Sequence, residues 1–162
     1  MTTATLNGDG CTVCANDIGY ACTRAPSVCS LSLGGETCVR PVVVSSSGQF
    51  TGDFSTFVND YDPVAGGCTG WAASGPDVAY EITLAAGQTL DASVDSVTGT
   101  DLSLYLVTDC ADVVNSCLVG DDSGNPEVVS YTAVVPETLY LIVDRYGSAA
   151  SGLFTLDITI TP

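Results

Sequence analysis

The chain contains no lysine and no histidine, and its only basic side chains are Arg24, Arg40 and Arg145. Nineteen acidic residues stand against those three, which gives a formal charge of −16 over 162 residues. Nucleic-acid binding needs cations to neutralise phosphate, and three scattered arginines do not supply them. Attachment to an anionic membrane surface fails for the same reason. Without histidine there is no Ser-His-Asp or Cys-His nucleophile and no imidazole-ligated zinc or haem; without lysine there is no Schiff base. No segment approaches the ~20 apolar residues of a membrane-spanning helix, so no membrane insertion is expected. Met1 leads into Thr-Thr-Ala-Thr rather than a charged region and an apolar core, so no signal peptide is expected in this chain.

Several catalytic and metal signatures are missing as well. No serine sits in a Gly-x-Ser-x-Gly elbow, and no run matches an EF-hand or a Gly-Gly-x-Gly-x-Asp calcium repeat. Paired carboxylates, as in glycoside or aspartic-peptide hydrolysis, are permitted by residue type. There is no Asp-Thr-Gly signature to support them, and a chain that is not an enzyme is expected.

What is present points to a folded, exported globule. Hydrophobic residues make up 46% of the chain, too many for a solvated acidic tail. Eight cysteines in 162 residues is a density of oxidising compartments. The competing reading is zinc, because Cys11-x-x-Cys14 is half of a four-thiolate site. Cys22 and Cys29 form no second such pair, which favours disulfides and an extracellular or cell-surface location.

Two regions differ in pattern. Residues 1–40 hold five of the eight cysteines and little alternation; such a stretch cannot bury a core of its own and is expected to be stapled by disulfides. Residues 41–162 show apolar side chains at period two, the mark of half-buried strands. Val78, Tyr80, Ile82 and Leu84 form one run, Leu90, Ala92 and Val94 another, then Leu102, Leu104 and Leu106. Val129, Tyr131 and Ala133 follow, and Phe154, Leu156, Ile158 and Ile160 close the chain. Leu139–Val143 is apolar on both faces, as suits a central strand. Pro41–Ser45 and Gln49–Val58 supply one or two more. Ala86-Gly87, Asp121–Pro126 and Arg145–Ser148 carry turn chemistry between them. Seven to nine short strands without helices predict an all-β, antiparallel, jelly-roll-like sandwich with a small N-terminal appendage.

The order of pieces within residues 50–161 resembles the bacterial pre-peptidase C-terminal domain. Cys68-x-Gly70 and Gly75-Pro76-Asp77-Val78-Ala79-Tyr80, with Leu84 and Gly87, look like its opening. Asp101–Leu106, the Cys110–Cys117 loop, Tyr140-Leu-Ile-Val-Asp144 and Gly152-Leu-Phe-Thr-Leu156 continue it. The resemblance implies a jelly-roll-like sandwich from a secreted bacterial protein. Such domains often sit beside proteases, are not catalytic, and in some members bind calcium or substrate surfaces. Ahead of it, Asp9-Gly10-Cys11, Cys14, Gly19-Tyr20-x-Cys22 and Pro26-Ser27-Val28-Cys29 resemble one copy of the cysteine-rich repeat of myxobacterial surface proteins. The Cys-Gly-Asp-Gly continuation is replaced here by Gly34-Gly35-Glu36-Thr37-Cys38.

Four disulfides are expected. Cys110 and Cys117 bracket six residues between two strands, which favours a local bridge. Cys11–Cys22 with Cys14–Cys29 is the favoured pairing of the first quartet. Cys38 and Cys68 are left to each other or, alternatively, to another chain. For calcium, which wants six to eight oxygens, the candidates are Asp121, Asp122 and Asn125, with Asp77, Asp101 and Asp144 matching the family's recurring acids. The alternative is that these acids satisfy loop amides. Trp71, Tyr20, Tyr61, Tyr105 and Tyr146 can stack on glycans or on a protein partner; alternatively Trp71 plugs the core at a sandwich end. The lead Met1-Thr2-Thr3-Ala4-Thr5-Leu6-Asn7 is expected to be extended and to contact another copy by strand addition. On that basis the function expected is a structural subunit of a secreted surface fibre, with an accessory domain of a secreted hydrolase as the alternative.

Overall fold

The computed structural model describes residues 34–148 and 151–162 in full and, before them, only the backbone of four short strands. Two compact units result, residues 1–34 and 35–162. In the first, β1 (Cys11–Thr12) pairs antiparallel with β2 (Ala15–Asn16), and β3 (Tyr20–Cys22) with β4 (Cys29–Leu31). The expected pairings among Cys11, Cys14, Cys22 and Cys29, and the expected contacts of Met1–Asn7, lie outside the described residues.

The second unit is a sandwich of two sheets. One runs in the order β10 (Cys117–Asp121), β9 (Leu102–Val107), β12 (Glu137–Arg145), β7 (Asp77–Leu84), β5 (Val42–Val44). The other runs β11 (Glu127–Thr132), β8 (Thr89–Ser96), β13 (Leu153–Thr161), β6 (Gly48–Asp53). All pairings in both sheets are antiparallel except one: β5 lies parallel to β7, with Val42 opposite Tyr80. The strands expected from period two are therefore present, with that one edge departing from a purely antiparallel sandwich.

The alternation dictates the core. Val78, Tyr80, Ile82 and Leu84 of β7, Leu102, Leu104 and Leu106 of β9, and Leu139, Leu141 and Val143 of β12 all turn to the same side. They meet Leu90, Ala92 and Val94 of β8 and Phe154, Leu156 and Ile158 of β13, because successive side chains of a strand point to opposite faces. Phe50 of β6 reaches Tyr80 across the layers edge-on, ring centroids 5.6 Å apart. Phe54, fully buried in a 3-10 turn capped by Asp53, packs on Phe154 with centroids 4.9 Å apart. Gly52, opposite Phe154 in the ladder, leaves room for that ring; a Cβ there would collide with it.

Residues 35–40 are tied to the sandwich. Ala79 donates its N–H to the Gly35 carbonyl at 2.8 Å, and Cys38 donates its own to the Tyr61 hydroxyl at 2.7 Å. These six residues, expected in the N-terminal segment, are thus counted with the second unit.

Candidate functional site

The other face of the five-stranded sheet carries a different set of side chains. Ala79, Tyr105, Val107 and Ile142 form a second buried cluster there, joined by Cys38, Tyr61, Cys110, Cys117 and Tyr140. Two disulfides staple it: Cys38–Cys110 and Cys68–Cys117, each with Cα atoms 6.3 Å apart. Both bridges correct the expected pairs Cys110–Cys117 and Cys38–Cys68. The loop between β9 and β10 is closed by hydrogen bonds instead: the Ser116 hydroxyl donates to the Asp109 carbonyl at 2.7 Å and accepts the Asp109 N–H at 3.1 Å. That closure leaves each cysteine of the loop to reach a different covering segment.

At the end of this face three strands align one polar row. Asp77 lies opposite Asp144, and Asp144 opposite Ser103, and all three are fully buried. Asp77 accepts the N–H groups of Asp60 and Tyr61 on one carboxylate oxygen, at 2.8 and 2.9 Å. Its other oxygen is buried without a hydrogen-bond partner. Asp144 accepts the Tyr105 hydroxyl at 3.1 Å and the Arg145 N–H at 2.6 Å. Burial raises Asp77 to about 7, opposed by the two loop amides and reinforced by the charges of Asp60 and Glu36. Burial raises Asp144 further, to about 9, with Asp77 as the next cause. Two carboxyls facing each other out of water hold at least one proton between them at neutral pH.

This pair is unsuited to hydrolysis, because both acids are covered and a reacting carboxyl must touch its substrate. The six calcium candidates do not converge either. Asp121 accepts the Val128 N–H at 2.9 Å, Asn125 accepts the Ser96 N–H at 2.9 Å, and Asp122 accepts the Ser103 hydroxyl at 2.6 Å. Among the described residues no group of three or more His, Cys, Asp or Glu side chains is placed to hold a metal ion. Asp77 and Asp144 come together as a buried pair, far short of the oxygens calcium takes. Asp60 and Glu36, whose charges act on Asp77, and Tyr105, bonded to Asp144, were not expected in this cluster; nothing in their spacing marks them.

Two of the candidates do meet elsewhere. Asp101 and Asp122 line a groove of about 400 Å³ with Trp71, Ser123, Gly124 and Tyr146. Trp71 is 65% exposed and Tyr146 60%, so Trp71 is no core plug, whereas Tyr105 is wholly buried. Trp71 stands three residues beyond the Cys68–Cys117 bridge, and the buried Thr69 donates its hydroxyl to the Trp71 carbonyl at 2.7 Å. Gly120 leaves space for that segment; a Cβ there would lie 3.0 Å from Cys68 Sγ and Thr69 Cγ2. Tyr146 donates its N–H to the Asp101 carbonyl at 3.0 Å.

Known proteins share this arrangement of strands. Residues 78–145, from β7 through β12, match the bacterial pre-peptidase C-terminal domain family. The match does not reach the cysteine-rich segment. Among solved structures, the pre-peptidase C-terminal domain of a collagenase from Bacillus anthracis is 16% identical with a TM-score of 0.52. The alignment covers 74% of this chain and 95% of that one. At that identity the likeness is one of fold. A periplasmic inhibitor of g-type lysozyme from Aeromonas hydrophila aligns at 14% identity over 75% of this chain and 96% of its own, with a TM-score of 0.49. Comparison with curated proteins finds no match.

Proposed function

We propose that the chain is a non-catalytic accessory domain of a secreted protease or other hydrolase, acting outside the cell by holding a protein substrate. The match of residues 78–145 to the pre-peptidase C-terminal family carries this reading. Three features support it. The buried acid pair is closed to substrate, two disulfides suit an oxidising compartment, and no helix among the described residues is long and apolar enough to cross a membrane. The reading takes precedence over the fibre subunit, which rested on Met1–Asn7. The cysteine-rich segment is read as a single repeat of the myxobacterial type, on the spacing of its cysteines.

The test is sedimentation of the purified chain with insoluble collagen and elastin, together with an assay for released peptide. Retention on at least one of them without peptide release is expected. Peptide release, filaments in an electron micrograph, or no retention on either substrate would overturn the proposal.

A further inference from the structure

The groove between Trp71 and Tyr146 has features that the fold does not require. A sandwich of this kind buries its rings, as it does Phe54, Tyr105 and Phe154, yet these two stand in solvent and line a cavity of ligand size. Both are anchored through their backbone: Trp71 by Thr69 next to a disulfide, Tyr146 by Asp101. The loop positions that carry the two rings are thus fixed, while the rings themselves stay exposed. Asp101 and Asp122 line the groove with them, and among the described residues no lysine or arginine does. Arg145, the neighbour of Tyr146, donates to the Gly147 carbonyl at 3.1 Å.

Charge decides what such a groove accepts. Asp122 is half-buried, and Asp101 and Asp121 both repel its negative charge, adding to the effect of burial. An incoming cation relieves that repulsion and is attracted to the aromatic rings at the same time. A neutral sugar gains the ring contact but leaves the repulsion among the carboxylates unrelieved. The overall charge of −16 steers a basic partner towards the surface.

We propose that this groove binds a cationic side chain, the guanidinium of Arg or the ammonium of Lys presented by a protein partner, between the rings of Trp71 and Tyr146 and the carboxylates of Asp101 and Asp122. The assignment stands on the groove's own chemistry and does not depend on which protein the domain accompanies.

Trp71 is the sole tryptophan, so its fluorescence reports occupancy directly. The probe is a hexapeptide with three arginines, compared with its citrulline counterpart and with cellohexaose. The arginine peptide is expected to shift the emission saturably, and the citrulline peptide to bind about tenfold more weakly or not at all. Calorimetry with Trp71→Ala, and separately with the double variant Asp101→Asn, Asp122→Asn, should show losses of about tenfold each, or about 1.4 kcal/mol. The double variant Asp91→Asn, Asp157→Asn, which removes the same charge from exposed positions of the other sheet, should bind as the parent does. Three results would overturn the proposal: equal binding of the citrulline peptide, an equal loss in the Asp91/Asp157 variant, or saturable binding of cellohexaose without the arginine peptide.

Discussion

The two faces of the five-stranded sheet are made by the same strands and are built on different principles. The inner face is apolar through its middle, with Asp121, Glu137 and Arg145 only at strand ends; its partner is the second sheet, and shape and burial hold it. The outer face carries Asp77, Ser103 and Asp144 beside Ala79, Tyr105 and Ile142, and its partner is irregular chain. Loops have no periodic apolar side to offer, so this cover is fastened by two disulfides and by hydrogen bonds to buried carboxyls. Alternation suffices to build a face that meets another sheet; a face that meets a loop needs covalent and polar fixings, residue by residue.

Breaking the inner face should cost most. Phe154→Ala removes a buried ring that touches Phe54 and fills the space above Gly52, and a loss of about 3–5 kcal/mol is expected in urea unfolding. The same loss should appear with and without reductant, since no disulfide spans the two sheets among the described residues.

Cutting the outer fastening should cost somewhat less. The bridge Cys38–Cys110 closes a separation of 72 residues, and the paired change to Ser is expected to remove about 2–4 kcal/mol. The far-UV spectrum should remain that of a β protein, because the sandwich core does not depend on the cover. A collapse of that spectrum would show that the two faces fold as one and would break the comparison.

A change of pH gives the effect most specific to the outer face. Asp77 and Asp144 have native values near 7 and 9, above the ordinary carboxyl value near 4. Between those limits the native state holds more protons than the unfolded chain, so stability falls as pH rises. The contribution is complete below about pH 4 and fully lost above the native values. With no histidine present, the span from pH 6 to 9 is otherwise nearly silent. A melting temperature lower by at least roughly 5 °C at pH 9.5 than at pH 5.5 is expected, flattened by Asp77→Asn with Asp144→Asn. Excess chelator should leave both curves where they are; a drop on chelation would replace the shared proton with a cation.

Parts of this were readable along the chain. Leu139–Val143 declared a central strand because it is apolar on both faces, and β12 does lie in the middle of its sheet with both sides covered. The runs at Val78, Leu90, Leu102, Val129 and Phe154 each became a strand facing the core. The parallel placement of β5 was not readable, since three valines carry no direction. Nor was the exposure of Trp71, which depends on where Thr69 and the Cys68 bridge set the loop down.

Local pattern therefore determined the sandwich, its inner face and the stock of acids, cysteines and rings, because period two is a property of neighbouring residues. Tertiary structure alone decided which cysteines meet, that Asp77 and Asp144 share a buried pair, and that Trp71, Asp101, Asp122 and Tyr146 border one groove. Those partners stand tens of residues apart, and only the register of β7, β12, β9 and β10, together with the path of the covering loop, brings them within reach.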